Sequence, residues 1–226
     1  MELKPLLLAG GCSSRMGKPK ELLLLPSGQP MYMHLLSILH QACPESETVY
    51  FSQRDRKATE ALMNDDRITY VSDNNMIIHS IDRTSMPVRV IHDYKDDSKN
   101  NVAIGPAAGL LAAHHQYPDA TWLVAACDYP LLCPSALLQL RDEVSDSVTC
   151  FCNEDGFCEP LLGIWTPKAL RMLEENVQRG IFGPSSIPRQ HQGKLIRPRE
   201  SQWLFNANTP VEWERAIELM KIRNLE

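Results

Sequence analysis

The chain predicts an α/β fold: a mainly parallel central sheet covered by helices on both faces. Three observations carry this. Short apolar runs alternate with segments of helical spacing for most of the 226 residues, the pattern of strand–helix–strand units. The runs Leu3–Ala9 and Trp122–Cys127 read as strands buried on both faces. Gly10–Lys20, Asp93, Gly105 and Asp128 follow such runs or open the next helix, and a sheet of this kind gathers those positions on one ligand-binding rim.

Length and composition set the frame. The chain is expected to form one domain over residues 1–226, with hydrophobic and charged fractions of 43% and 23%, ordinary for a globular protein. A formal net charge of −5 argues against a nucleic-acid-binding surface, which shows a basic excess. No apolar run approaches the roughly 18 residues of a membrane span. The strand pattern begins almost at the first residue, leaving no room for a signal peptide. Seven cysteines show no disulfide framework. Cys150, Cys152 and Cys158 lack the spacing of a zinc site, so buried thiols in a reducing cytoplasm are expected.

In chain order, Leu3–Ala9 is a strand and Leu22–Leu25 a second apolar stretch stopped by Pro26-Ser27-Gly28. Met31, Leu35, Leu36, Ile38, Leu39 and Ala42 predict a helix from Pro30 to Cys43. Thr48–Ser52 reads as a strand, Asp55–Asn64 as a polar-faced helix and Ile68–Val71 as a short strand. Residues 72–86 are polar around an apolar knot, Met76-Ile77-Ile78, and read as an inserted loop. Val88–His92 resumes as a strand. A helix then runs from Ala107 to Gln116, a strand from Trp122 to Cys127 and a helix from Pro134 to Val144. Val148–Cys152 and Leu161–Trp165 read as strands around an Asn153–Phe157 turn. Thr166-Pro167 has the cap and first-turn chemistry of a helix reaching Gln178, and Gly180–Pro188 reads as a loop. Thr209-Pro210-Val211-Glu212 is a capping box opening the last helix.

The stretch Leu8-Ala9-Gly10-Gly11-Cys12-Ser13-Ser14-Arg15-Met16-Gly17-Lys18-Pro19-Lys20 has the composition of a phosphate-handling loop. Glycine lets backbone N–H groups approach an anion, and Arg15, Lys18 and Lys20 supply charge. Two familiar phosphate loops fail on spacing. A P-loop has four residues between its first glycine and Gly-Lys; here five separate Gly11 from Gly17-Lys18, and Pro19 follows. The dinucleotide fingerprint G-x-G-x-x-G is missing.

Asp93 and Asp128 each follow a strand. Such aspartates serve as turn or cap residues, or, converging near a triphosphate, as ligands of Mg²⁺, which prefers oxygen donors. Asp96 and Asp97 compete for the second place. Asn206 and Asn208 precede the last helix as turn residues or ligand contacts. His114-His115, late in a helix, are expected to face solvent or cap its end, since no histidine forms a triad with a serine.

At these residues the chain resembles nucleotidyltransferases of the molybdenum cofactor guanylyltransferase type. The opening stretch is similar to their L-A-G-G-x-S-x-R-M-G-x-x-K signature. Val90-Ile91-His92-Asp93, Gly105-Pro106-Ala107-Ala108-Gly109-Leu110, Ala126-Cys127-Asp128-Tyr129-Pro130, Glu159-Pro160-Leu161 and Asn206-Ala207-Asn208-Thr209-Pro210-Val211-Glu212 match further elements in order. The resemblance implies a three-layer Rossmann-like nucleotidyltransferase fold. It also implies attack of the terminal phosphate of molybdopterin on the α-phosphate of GTP, with release of pyrophosphate. On that basis Lys20 and Arg15 stabilise the phosphates. Leu8, Ala9, Gly10 and Gly11 line the base and ribose, with Ser52 and Asp93 also on the nucleotide. Asp128 holds Mg²⁺ with support from Asp93, and Asn206 and Asn208 face the acceptor. The same resemblance implies transient contact with proteins that make or receive the cofactor.

Two features depart from the pattern. Residues 72–86 are longer than the compact form, and Ser52 stands where guanylyl-transferring relatives tend to carry Asn. Cytidylyl transfer, a sugar phosphate acceptor, or a nucleotide-binding regulatory module without turnover are the competing readings.

Overall fold

A computed structural model describes residues 2–10, 16–62, 65–72, 74–79, 85–94 and 104–223. The first half runs β1 (Leu3–Leu8), α1 (Met31–Ala42), β2 (Val49–Gln53), α2 (Arg56–Glu60), β3 (Ile68–Ser72), β4 (Asn75–His79), β5 (Ser85–His92) and α3 (Ala107–Gln116). The second runs β6 (Thr121–Ala126), α4 (Pro134–Asp142), β7 (Val148–Cys152), β8 (Cys158–Trp165), α5 (Pro167–Gln178), α6 (Ser186–Gln190), β9 (Lys194–Ile196) and α7 (Pro210–Arg223).

The strands form one sheet in the order β3-β4-β5-β2-β1-β6-β8-β7-β9. Its centre, β5-β2-β1-β6, is parallel. β1 connects through α1 to β2 on one side. β5 connects through α3 past β2 and β1 to β6 on the other. Right-handed crossovers running in opposite directions put α1 and α3 on opposite faces. Accordingly α1 packs on α4, and α3 on α5. The strand direction of connection reverses between β1 and β6, and a crevice opens outside the carboxyl ends of strands at such a point. The fold is the expected three-layer α/β arrangement around a parallel centre.

Alternation along β2 shows why both faces are filled. Phe51 stacks on Tyr32 of α1, with ring centroids 5.6 Å apart. Its neighbour Tyr50 meets Tyr117 and Trp122 edge-on at 5.2 and 5.0 Å, at the end of α3. Leu6 and Leu7 of β1 are fully buried, each such side chain contributing about 1.5–3 kcal/mol of transfer free energy.

Several expectations are corrected. The region expected as a loop, 72–86, contains β4, which pairs antiparallel with both β3 and β5. The apolar knot is a strand with Met76 and Ile78 buried and Ile77 half-buried between them. Beyond β6 the sheet turns antiparallel through β8 and β7, because the Asn153–Phe157 turn is too short for a crossover. Asp55 does cap α2, accepting from the Ala58 N–H at 2.9 Å, but α2 stops at Glu60. α6 occupies the end of the stretch expected as a loop. His115 is exposed as expected, bonded to Glu174 of α5 at 2.6 Å, while His114 is buried rather than solvent-facing. The described cysteines are free thiols, all buried except half-buried Cys133.

Candidate active site

The ladder of the parallel centre continues past the strand ends. The Ala9 N–H donates to the Ser52 carbonyl at 3.0 Å, the Asp93 N–H to the Gln53 carbonyl at 2.9 Å, and the Cys127 N–H to the Leu8 carbonyl at 3.1 Å. These bonds hold Ala9-Gly10, Asp93 and Asp128 at one rim, as the sequence implies. Gly11 and Arg15, together with Asp96 and Asp97, lie outside the described residues.

The rim carries two distinct corners. In the first, the Ser52 hydroxyl donates to Asp93 Oδ1 at 2.8 Å. A Cβ on Gly10 would lie 2.3 Å from Asp93 Oδ2, and one on Gly109 would lie 2.6 Å from Ser52 Oγ and 3.3 Å from Asp93 Oδ1. The carboxylate is thus wedged between a loop and a helix that approach closely only because both positions are glycine. Burial pushes the Asp93 carboxyl above its ordinary range, and the Ser52 hydrogen bond opposes that.

The second corner is charged. Lys20 opens a 3-10 turn over Lys20–Leu22 after Pro19. Its Nζ donates to Asp128 Oδ1 at 2.8 Å and to Asn208 Oδ1 at 2.6 Å. The Lys20 side chain is 13% exposed and that of Asp128 34%, so the pair sits at the mouth of the crevice. The extended segment before α7 is pinned here as well. The Ala207 N–H donates to the Asp128 carbonyl at 2.9 Å, and Asn208 Nδ2 donates to Asn206 Oδ1 at 2.7 Å. The capping box anticipated at Thr209 is formed. Glu212 Oε2 accepts from the N–H groups of Asn208 and Thr209 at 2.8 and 2.9 Å, and the Glu212 N–H donates to Thr209 Oγ1 at 3.3 Å. These bonds hold the Glu212 carboxyl below its ordinary range.

Lys20, Asp128, Asn206 and Asn208 therefore meet in one cluster, and Gly10, Ser52 and Asp93 in another. Lys18 points to solvent. Three residues without an expected role join the site. Tyr129, fully buried, donates its hydroxyl to Glu159 Oε2 at 2.7 Å. Glu21, beside Lys20, is buried, and desolvation pushes its carboxyl up, with Asp128 adding to the rise. The signal for Tyr129 was available: a tyrosine in an apolar setting usually finds a partner for its hydroxyl. Its partner lies 30 residues away, on an antiparallel strand that local pattern does not position.

The site can be tested for a hard cation. Among the described residues no group of three His, Cys, Asp or Glu side chains could hold a metal ion alone. Mg²⁺ does not require one, since it binds through one or two carboxylates plus substrate phosphates and water. Asp128 fits: it is a partly exposed carboxylate beside a lysine that a phosphate would also engage.

The family described as "MobA-like NTP transferase domain" matches residues 5–194. The chain belongs to this family. That places it among the nucleotidyltransferases. A "Molybdenum cofactor biosynthesis bifunctional protein" of Synechocystis sp. is 27% identical over 211 residues, 92% of this chain and 52% of that protein. The chain thus spans about half the length of that relative. A "Probable molybdenum cofactor guanylyltransferase" of Synechococcus elongatus is 26% identical over 97% of this chain and 100% of its own. The crystal structure titled "Molybdopterin-guanine dinucleotide biosynthesis protein A" from Archaeoglobus fulgidus superposes with a TM-score of 0.65 at 21% identity, covering 97% of this chain and 99% of that one. The last likeness supports the fold. Among the described residues no helix is long and apolar enough to cross a membrane.

Proposed function

We propose that this chain, acting as one domain, transfers GMP from GTP to the terminal phosphate of molybdopterin in a Mg²⁺-dependent reaction. An acceptor phosphate oxygen forms a bond to the α-phosphorus, the bond from that phosphorus to the bridging oxygen breaks, and pyrophosphate leaves. The observation that carries the reading is the meeting of Lys20, Asp128 and Asn208 at the switch point of a MobA-like fold. The names of the cyanobacterial relatives favour molybdopterin and guanine.

Phosphoryl-type transfer calls for positioning and charge neutralisation more than covalent help. Lys20 neutralises charge at the α-phosphate, with Arg15 on the remaining phosphates. The Leu8–Gly11 backbone, Ser52 and Asp93 receive the base and ribose. Asp128 is the residue that would hold Mg²⁺, which supplies charge neutralisation along the triphosphate when bound. Asp93, turned towards Ser52 and Gly10, supports the nucleotide side. Asn206 and Asn208 border the acceptor side. The reaction belongs in the cytoplasm, where its substrates and the proteins that make or receive the cofactor would meet it.

The test is pyrophosphate release with molybdopterin and each of the four nucleoside triphosphates. Release with GTP alone is expected. Release with CTP instead would move the assignment to cytidylyl transfer. Binding without release would favour a regulatory module, and release with a sugar phosphate in place of molybdopterin would change the acceptor. Lys20→Ala is expected to lower turnover by at least about tenfold, roughly 1.4 kcal/mol of barrier, with its unfolding midpoint preserved. An unchanged rate removes Lys20 from the mechanism.

A further inference from the structure

We propose that Cys152 and Cys158 form an oxidation site: a thiol pair that hydrogen peroxide converts into a cross-strand disulfide and that a dithiol restores. The inference does not depend on which nucleotide or acceptor the crevice takes.

The two cysteines stand directly opposite each other in the β7–β8 ladder. The rung beyond them identifies the kind of pair they make. The Asn153 N–H donates to the Phe157 carbonyl at 3.0 Å, so that rung is hydrogen-bonded. Hydrogen-bonded and non-hydrogen-bonded pairs alternate along an antiparallel ladder. Cys152 and Cys158 are therefore a non-hydrogen-bonded pair, the kind with Cα atoms about 4.5 Å apart and the closer side chains. A disulfide spans Cα separations of about 4.4–6.8 Å, so the backbone already holds the pair within bridging reach. Neither thiol is firmly engaged. Cys152 Sγ donates to the Ile196 carbonyl at 3.6 Å and Cys158 Sγ to the Ser185 carbonyl at 3.9 Å. An S–H group is a weak donor, and rotation about χ1 exchanges these contacts for the bridge.

The surroundings favour this pair over the third thiol nearby. Cys150 lies on the same face of β7, two residues from Cys152. Burial, followed by the neighbouring Cys158 and Cys152 thiols, pushes its own thiol up. Opposite Cys150, however, stands Gly163, which offers no sulfur. Cys152 and Cys158 are 7% and 9% exposed, but they form the rung at the base of a turn whose residues Glu154, Asp155, Gly156 and Phe157 are exposed. Local opening at such a hairpin end admits a small oxidant.

The loop that the bridge would close is short, and a short loop constrains the unfolded chain less than a long one. That suits a bond made and broken with redox conditions, the use to which disulfides in reducing compartments are put. The bridge would also fix the end of β8 next to the crevice. Glu159 follows Cys158 and accepts from the Tyr129 hydroxyl at 2.7 Å, and Tyr129 adjoins Asp128.

The chemistry balances without a metal. One thiolate sulfur attacks a peroxide oxygen, the O–O bond breaks, and the departing hydroxide takes a proton to leave as water, giving a sulfenic acid. The second sulfur attacks the first, the S–O bond breaks, and a second water leaves with the remaining thiol proton. Two thiols are oxidised and one peroxide is reduced to two waters. A dithiol reverses the step by exchange, taking the disulfide onto itself.

The test treats the reduced, folded protein with hydrogen peroxide, alkylates the remaining thiols and digests it without reductant. Cleavage after Glu154 separates the two cysteines, so a linked pair of fragments reports the bridge by mass. The parent should give the link and lose it on addition of dithiothreitol. Cys150→Ser should keep the link, whereas Cys152→Ser and Cys158→Ser should abolish it. Cys152→Ala and Cys158→Ala carry the test if a serine variant does not fold. In the bridged protein the Asn153 and Phe157 amides should exchange about tenfold more slowly than in the reduced protein, because the tethered strand ends no longer part locally. No link in the parent overturns the inference, as does a link that survives Cys152→Ser and so runs through Cys150. Unchanged exchange would mean that the bridge forms outside the folded hairpin, and overturns it too.

Discussion

Asp93 and Asp128 look alike in sequence and differ in kind in the structure. Each closes an apolar run of the parallel centre and each reaches the same rim. Asp93 is folded under, between Gly10 and Gly109, with a neutral serine hydroxyl as its donor, and burial raises its carboxyl. Asp128 stays at the mouth of the crevice and pairs with the Lys20 ammonium. Strand position therefore decides where an aspartate is delivered, and the backbone closing over it decides what it can do. One carboxylate is built into the wall, and the other is left where a cation and phosphates can reach it.

The largest effect should come from neutralising the exposed member. Asp128→Asn is expected to lower turnover by about a hundredfold or more, roughly 2.7 kcal/mol of barrier, with little change in the unfolding midpoint. The paired carboxylate is a third exposed, and such a pair contributes little to stability. A steady-state assay and a melting curve on one preparation check both halves. If Asp128→Asn unfolds the protein while sparing turnover, the two corners have been assigned the wrong way round.

Next comes the packing of the buried member. Gly10→Ala places a methyl 2.3 Å from Asp93 Oδ2, closer than any relaxed contact, and overpacking of this kind costs about 1–3 kcal/mol. For a chain of this size each kcal/mol lowers Tm by about 2–4 °C. The cost should shrink when Asp93 is also truncated to Ala, which opens the space. The deviation from additivity in denaturant titrations measures the contact directly. Additive losses would place the strain elsewhere in the loop.

The central architecture was legible because its signals are local. Leu3–Ala9, Val88–His92 and Trp122–Cys127 are apolar runs of strand length, and Thr166-Pro167 and Thr209–Glu212 carry complete helix starts. β4 was obscured because five residues with polar ends, Asn75 and His79, and a half-buried Ile77 blur the alternation that marks a strand. Its order comes from pairing on both sides, which is tertiary information. At the site, Lys20, Asp128 and Asn208 were legible as residue types at strand and helix ends. Their joining was not, since Lys20 and Asn208 stand 188 residues apart. Nor did residue type and strand position separate Asp93 from Asp128; only the family resemblance gave them different roles. That distinction depends on Gly109, which lies on α3 and meets Ser52 and Asp93 only once α3 packs on the sheet.

The smallest expected effect isolates the charge on the buried aspartate. A carboxyl whose pKa is higher in the folded state than in the unfolded state binds its proton more tightly when folded. Below the ordinary value of 3.8 both states are protonated and nothing is lost. As pH rises through that value the unfolded chain ionises first, so folding stability falls until the folded carboxyl has also ionised, and the cost then persists at neutral pH. Asp93→Asn keeps an oxygen for the Ser52 hydroxyl and removes the charge. The variant should therefore lack this decline and be more stable than the parent at pH 7, while Asp128→Asn, at the exposed corner, should not reproduce that gain. Chemical denaturation between pH 4 and 7 reads the difference. A parent protein and Asp93→Asn variant with parallel stability profiles would mean that Ser52 compensates fully for burial, and that the wall position costs Asp93 nothing.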